Sequence, residues 1–181
     1  RRVSLSMFTD EDLQRVHDYS MKLLAENGVH IPSDRALGLF KKHGFRVDGT
    51  QVYMTELQVR DALEKAPSQF VMNGLDAKKS INLGGGDYGV PGPIGPVNIT
   101  DLDKGIRRGT LQDVINLIKI YQSSKVMTMN SNNGVEANDV DPVNRHLEIM
   151  RALLNHTDKP FYTKLFSYEE MHQAIDMVEI A

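Results

Sequence analysis

The sequence predicts an α/β fold in three stretches. A helical and hairpin-bearing region covers residues 1–83, a glycine- and proline-rich joint covers 84–109, and strand–helix units fill 110–181. Three observations carry this. Side-chain caps announce six helix starts along the chain. The stretch Gly84 to Thr110 holds eight of the fourteen glycines and three of the seven prolines, so neither helix nor regular strand is expected through most of it. Beyond it, short apolar runs alternate with helical periodicity, the pattern of parallel strands joined by crossover helices.

Thr9 with Asp12 three residues on opens the first helix, and Phe8 is placed to staple onto Leu13. Leu13, Val16, Ser20, Leu23 and Leu24 share one face, and Asn27-Gly28 supplies the left-handed close. Ser33 starts a second helix through Ala36, Leu37 and Phe40, ended by His43-Gly44. Val47 and Val52 around Asp48-Gly49 predict a hairpin over 46–54. Thr55 with Gln58 opens a third helix, halted by Pro67, and short strands are expected at Phe70–Met72 and Ile81–Leu83.

After the joint, Thr110 with Asp113 caps a helix carrying Leu111, Val114, Ile115 and Ile118. Val126–Met129 reads as a strand. Asp141 before Pro142 predicts a cap with proline at the first helical position, leading into Val143, Leu147, Met150 and Leu154. Pro160–Leu165 reads as the next strand, and Ser167 with Glu170, stapled by Phe166 and Met171, opens the last helix. Two such units cannot close a sheet, so the expectation is the first part of a TIM (β/α)8 barrel, truncated, behind an N-terminal helical and β-hairpin region. The start at Arg1-Arg2 and the stop at Ile180-Ala181, inside an apolar periodicity, fit a fragment of a longer protein.

Composition narrows the function classes. The 181 residues are 40% hydrophobic and 25% charged, an ordinary globular mixture. The net charge of −3, from 21 basic and 24 acidic side chains without a basic stripe, argues against nucleic acid as partner. No apolar run reaches the length of a bilayer span, which argues against a membrane. Cysteine is absent, which removes disulfides and thiolate chemistry and suits the cytoplasm. No histidine pair has the i, i+4 spacing of a helical metal site, so no metal and no catalytic histidine is expected.

In an α/β barrel the loops leaving the carboxyl ends of the strands build the site. The loop Asn130 to Asp141 is long and crowded with amides and acids, so Asn132, Glu136 and Asp139 are candidates for a polar pocket wall, with Glu136 or Asp139 facing a cation. On the next strand Tyr162 and Lys164 alternate with Phe161 and Thr163, so one pair points inward; Tyr162 is a fourth candidate for contact with substrate. The same Asx residues also suit turns, and Asp141 a simple cap. The glycine-rich joint lacks the Lys-Ser/Thr of a P-loop and does not run from strand into helix, so a phosphate site there is disfavoured.

An N-terminal helix running into LLAENGVHIPSDRALGLFKKHGFRVDG, then ALEKAPSQFVM, then DLDKGIRRGTLQDV after the glycines, and later LLNHTDKPF, resembles the trimethylamine:corrinoid methyltransferase family, which includes glycine betaine methyltransferases. The resemblance implies a TIM barrel. It also implies transfer of a methyl group from a small methylated amine to the corrinoid (cobalamin) of a separate corrinoid protein, with no cofactor bound by this chain. In the trimethylamine-specific branch a pyrrolysine sits later in the barrel, outside this chain, so no catalytic residue is carried over. Quaternary ammonium is held by aromatic faces and nearby negative charge; Tyr88, Phe161, Tyr162 and Tyr168 are available aromatics.

Two other classes stay open at this point. The helices before Pro67 suit a non-catalytic interaction module or a homo-oligomer contact. Lys164 near a strand end suits the Schiff base of an α/β-barrel lyase or aldolase.

Overall fold

A computed structural model describes residues 7–93, 95, 97–131 and 134–181. Its residues gather into two compact units, Arg1–Pro67 and Ser68–Ala181.

The first unit is built from capped helices around a small antiparallel sheet. Helix α1 (Asp10–Glu26) opens on a reciprocal cap: the Thr9 amide donates to Asp12 Oδ2 at 3.0 Å and the Asp12 amide to Thr9 Oγ1 at 3.1 Å. The N–H groups of Asn27 and Gly28 both close onto Leu23 O. Strand β1 (Val29–His30), helix α2 (Asp34–Lys42), strands β2 (Arg46–Asp48) and β3 (Gln51–Tyr53) and helix α3 (Glu56–Leu63) follow. The hairpin expected at Asp48-Gly49 is β2–β3; β1, which the sequence reading missed, adds to the other edge of β3 with Val29 opposite Val52. Val52 is fully buried and Leu37 nearly so. Phe40 and Phe45 meet edge to face at 5.2 Å, and the Arg46 guanidinium lies 3.6 Å over the Tyr53 ring. The Leu13, Val16 and Leu23 side of α1 is exposed.

The second unit begins with β4 (Gln69–Met72) and β5 (Ile81–Gly84), where short strands are expected, and they pair antiparallel across a connection with a short 3-10 turn at Ala77–Lys79. The compact units therefore part at Pro67 and not at the composition break before Gly84. Residues between the two strands are tied forward: Asp76 N–H donates to Asp158 O, and Lys79 Nζ pairs with both Asp158 carboxylate oxygens at 2.6 and 2.7 Å.

The glycine-rich stretch is more regular than its composition suggests. It contains a hairpin, β6 (Asn98–Asp101) with β7 (Gly105–Arg108). Asp101 Oδ1 accepts the N–H groups of Asp103 and Lys104, and Gly105 takes a φ of 70°, so the turn is made by side-chain chemistry within the segment. Elsewhere in the stretch glycine is needed for close approach: a Cβ on Gly92 would lie 2.5 Å from the Tyr121 ring. Among the apolar residues set between the glycines, Ile99 packs on the core and Val90 is half-buried, Val97 is exposed, and Ile94 lies outside the described residues.

Helix α4 (Leu111–Ser123), strand β8 (Asn130–Ser131), helix α5 (Arg145–His156), strand β9 (Phe161–Tyr162) and helix α6 (Tyr168–Ile180) complete the unit. The expected parallel pairing is present, with Asn130 opposite Phe161 and Ser131 opposite Tyr162. The strands themselves are displaced and shorter than predicted. Val126–Met129 is not a strand, because Ser124 Oγ accepts the amides of Val126 and Met127 and bends the chain there. The strand at 160–165 is confined to Phe161–Tyr162. Asp141-Pro142 caps a preceding turn through the Val143 N–H and does not open the helix; α5 starts at Arg145, after Asn144, without a side-chain cap. The core lies between α4 and α5, where Val114, Ile118, Val135, Ala137, Ile149, Ala152 and Leu153 are buried together and Phe161 packs against them. Thus six α-helices and several small sheets make a mixed α/β chain among the described residues.

Two interactions make checkable demands. Lys159 is buried, and its Nζ donates to the carbonyls of Tyr121, Ser124 and Met127 at 2.7 to 2.8 Å. Burial, and then the charge of Lys79, pushes its pKa below the usual lysine value. Lys159→Met should strand three carbonyls and lower unfolding free energy by about 1–3 kcal/mol in urea titration; an unchanged midpoint would show the clamp to be dispensable. Asp113, at the start of α4, accepts from both Arg107 terminal nitrogens at 2.6 and 2.8 Å and from Thr110. Arg107 first, opposed by burial and then helped by Thr110, holds the Asp113 carboxyl well below its ordinary value of 3.8. The native state then binds fewer protons than the unfolded chain, so this stabilisation is full above about pH 4 and is lost as pH falls further. Thermal melts of wild type and Asp113→Asn should differ at neutral pH and converge in acid; a constant gap would contradict this.

Candidate functional site

The short parallel pair is fastened through buried polar groups. Asn130 N–H donates to Pro160 O at 2.8 Å, its Nδ2 to Ile118 O at 3.0 Å, and its Oδ1 accepts the Ser131 amide. Ser131 Oγ reaches Gly92 O at 3.3 Å. With both strands held in register, the chain leaves their carboxyl ends on the same side, and the two following loops meet there.

A cavity of about 270 Å³ opens at that end. Val135 and Glu136 line it from the loop after β8, and Lys164 and Phe166 from the loop after β9. Pro142, Arg145, His146 and Ile149 come from the approach to α5 and its first turns, and Glu170 from the first turn of α6. Arg145 is the organiser. Its Nη1 donates to Glu136 Oε1 at 2.6 Å and its Nη2 to Val140 O at 3.1 Å. One Glu170 oxygen accepts the Phe166 amide at 2.7 Å. His146 Nε2 lies 2.6 Å from Gln173 Oε1, and Gln173 Nε2 donates to Glu169 at 3.4 Å, so His146 Nε2 is the donor of this pair. Lys164 is exposed and makes no hydrogen bond or ion pair among the described residues.

The residues singled out from sequence take different positions. Glu136 lines the cavity, held by Arg145. Asp139 does not: its Oδ1 accepts the Leu111 N–H at 2.7 Å and supports the start of α4. Asn138 stitches the same loop down, with Nδ2 donating to the carbonyls of Val97, Gly109 and Glu136. Tyr162 is half-buried on β9, close enough to Tyr121 that its charge, after burial, raises the Tyr121 phenol pKa. Asn132 lies outside the described residues. Phe161 packs in the core, whereas Tyr88 and Tyr168 are exposed; the aromatic at the cavity is Phe166, read from sequence only as a staple. Arg145, His146 and Glu170 were also missed as cavity residues. Their signal was faint: an Arg-His pair just after a Pro-led turn, and an acid that reads as a capping partner. No group of three or more His, Asp or Glu side chains placed to hold a metal ion occurs among the described residues, and no helix there is long and apolar enough to cross a membrane.

Over residues 1–181 the chain matches the family described as trimethylamine methyltransferase (MTTB), and it belongs to that family. It is similar to the glycine betaine methyltransferase of Desulfitobacterium hafniense (strain Y51), 31% identical over 176 residues, which are 97% of this chain and 36% of that protein. The L-carnitine:corrinoid methyltransferase of Eubacterium limosum is 29% identical over 159 residues, 87% of this chain and 32% of its own. The trimethylamine methyltransferase MttB of Desulfitobacterium hafniense (strain DSM 10664 / DCB-2) is 33% identical over 126 residues, 68% of this chain and 25% of its own. The chain therefore spans about a third of the length of the curated relatives it matches.

The two acids separate by experiment. Asp139→Ala removes an acceptor from the first turn of α4 and should lower stability by about 1 kcal/mol. Glu136→Gln loses only an exposed-side ion pair and should cost less than about 1 kcal/mol. Urea unfolding of both variants checks this; equal costs would refute the division between scaffold and cavity.

Proposed function

We infer that the whole protein moves a methyl group from a small methylated amine, trimethylamine or a betaine, to a corrinoid carried by a separate protein, in the cytoplasm. Family membership over the full chain is the observation that carries this reading. We further read β8–α5 and β9–α6 as the first two units of a (β/α)8 barrel. The parallel pairing of β8 with β9 across the α5 crossover supports it, as does the greater length of the relatives. In this reading the corrinoid supplies the nucleophile that accepts the methyl group. This chain's residues bind the amine at the carboxyl ends of the strands, with Glu136, Glu170 and Phe166 at one wall, and keep water from the reacting carbon. A betaine's quaternary nitrogen leaves as a neutral tertiary amine with no proton moved, whereas trimethylamine has to react as its protonated ammonium ion so that dimethylamine leaves neutral.

The test is spectroscopic. The whole protein, mixed with a cob(I)alamin-loaded corrinoid protein and glycine betaine or trimethylamine, should consume the cob(I)alamin absorbance in step with amine demethylation. Failure with every methylated amine offered would overturn the assignment.

A further inference from the structure

The cavity at the strand ends is balanced in charge, not acidic. Arg145 and Lys164 stand against Glu136 and Glu170. One Glu136 oxygen is taken by Arg145 at 2.6 Å, and one Glu170 oxygen accepts the Phe166 amide. Lys164 has no partner among the described residues. With the Arg145–Glu136 pair closed, one cation, Lys164, and one acid, Glu170, are left on this wall without an oppositely charged partner among the described residues, so it suits a ligand that carries both signs. A simple methylammonium cation would enter beside an unneutralised ammonium group, and like charges at such range repel. Phe166 and the second Glu170 oxygen can meet a cationic methyl-bearing head, while Lys164 can take a carboxylate in a charge-assisted hydrogen bond.

We propose that Lys164 anchors the carboxylate of a zwitterionic quaternary ammonium substrate and so sets the preference of this protein for ammonium carboxylates over bare methylammonium cations. The inference rests on the methyl-transfer reading of the cavity but is narrower, and it gives Lys164 a role in specificity that needs no bond to the reacting carbon. The Schiff-base role open to this lysine from sequence is not needed.

The experiment is calorimetric binding of glycine betaine and of trimethylamine hydrochloride to the whole protein, with Lys164→Gln and Lys164→Arg beside wild type, followed by the cob(I)alamin assay on the same samples. Lys164 is exposed, so neither variant should disturb folding, and far-UV circular dichroism confirms this. Wild type should bind glycine betaine more tightly than the trimethylammonium ion. Lys164→Gln should weaken betaine binding about tenfold or more and leave the cation unaffected or improved, while Lys164→Arg should retain most of the betaine affinity. Betaine bound and demethylated equally well by Lys164→Gln, or demethylation of trimethylamine alone, would overturn the role of Lys164 and leave the methyl-transfer reading standing. Absence of binding and of methyl transfer with every amine would overturn both.

Discussion

The second unit depends on a buried ammonium group. Two residues of parallel strand on each side cannot hold a register by themselves. Lys159 solves this from just ahead of β9, placing three N–H donors on carbonyls at the end of α4 and in the bend before β8. A helix leaves its last carbonyls without intrahelical partners and concentrates partial negative charge there. One cation thus satisfies orphan acceptors, offsets part of the end charge, and ties β9 to the segment that feeds β8. Desolvation works against the charged form, as its lowered pKa indicates. The three acceptors repay that cost only because all are present together.

The neighbours of Lys159 extend the clamp. Thr157 Oγ1 donates to Gln122 Oε1, Gln122 Nε2 to Asp158, and Asp158 receives Lys79. At the other end of α4, Arg107 bridges Asp113 and Asp101, and Asp139 takes the Leu111 N–H. Helix α4 is therefore pinned at both ends by side chains that come from the connections, with Val114 and Ile118 fixing its middle in the core. The loop after β8 inherits its shape from this. Asp139 is spent on α4 and Asn138 on the carbonyls of Val97 and Gly109, which flank the β6–β7 hairpin, and this leaves Glu136 as the acid of this loop that faces the cavity.

This explains which features the sequence made legible. Capped helices were readable because the cap is local: Thr9, Ser33, Thr55, Thr110 and Ser167 each receive the expected amide from within their own first turn. Strand β8 was not, because it is Asn130-Ser131, two polar residues held by tertiary hydrogen bonds, while the apolar run ahead of it is bent by Ser124. The start of α5 was misplaced since its N-terminus has no side-chain cap to read. Within the candidate site, Glu136 could be picked from a polar loop. Its partner Arg145, and Glu170 across the cavity, converge only through the parallel pairing, and no spacing along the chain encodes that.

The strings that carry the family resemblance can now be placed. In LLNHTDKPF, Leu153 and Phe161 belong to the core, Thr157 and Asp158 hold Gln122 and Lys79, and Lys159 makes the clamp. In DLDKGIRRGTLQDV, Asp101 makes the β6–β7 turn and shares Arg107 with Asp113, while Thr110 caps α4. These are scaffold residues, and their demands are steric and electrostatic constraints that any sequence with this packing must meet. The cavity residues Glu136, Arg145, Lys164 and Glu170 all lie outside both strings, in the loops after the strands and the first turns of the helices. The features that identify the family and those that would choose a substrate are thus carried by different residues. A ligand preference for this chain has to be argued from the charges at the strand ends, since the scaffold would be the same for either kind of amine.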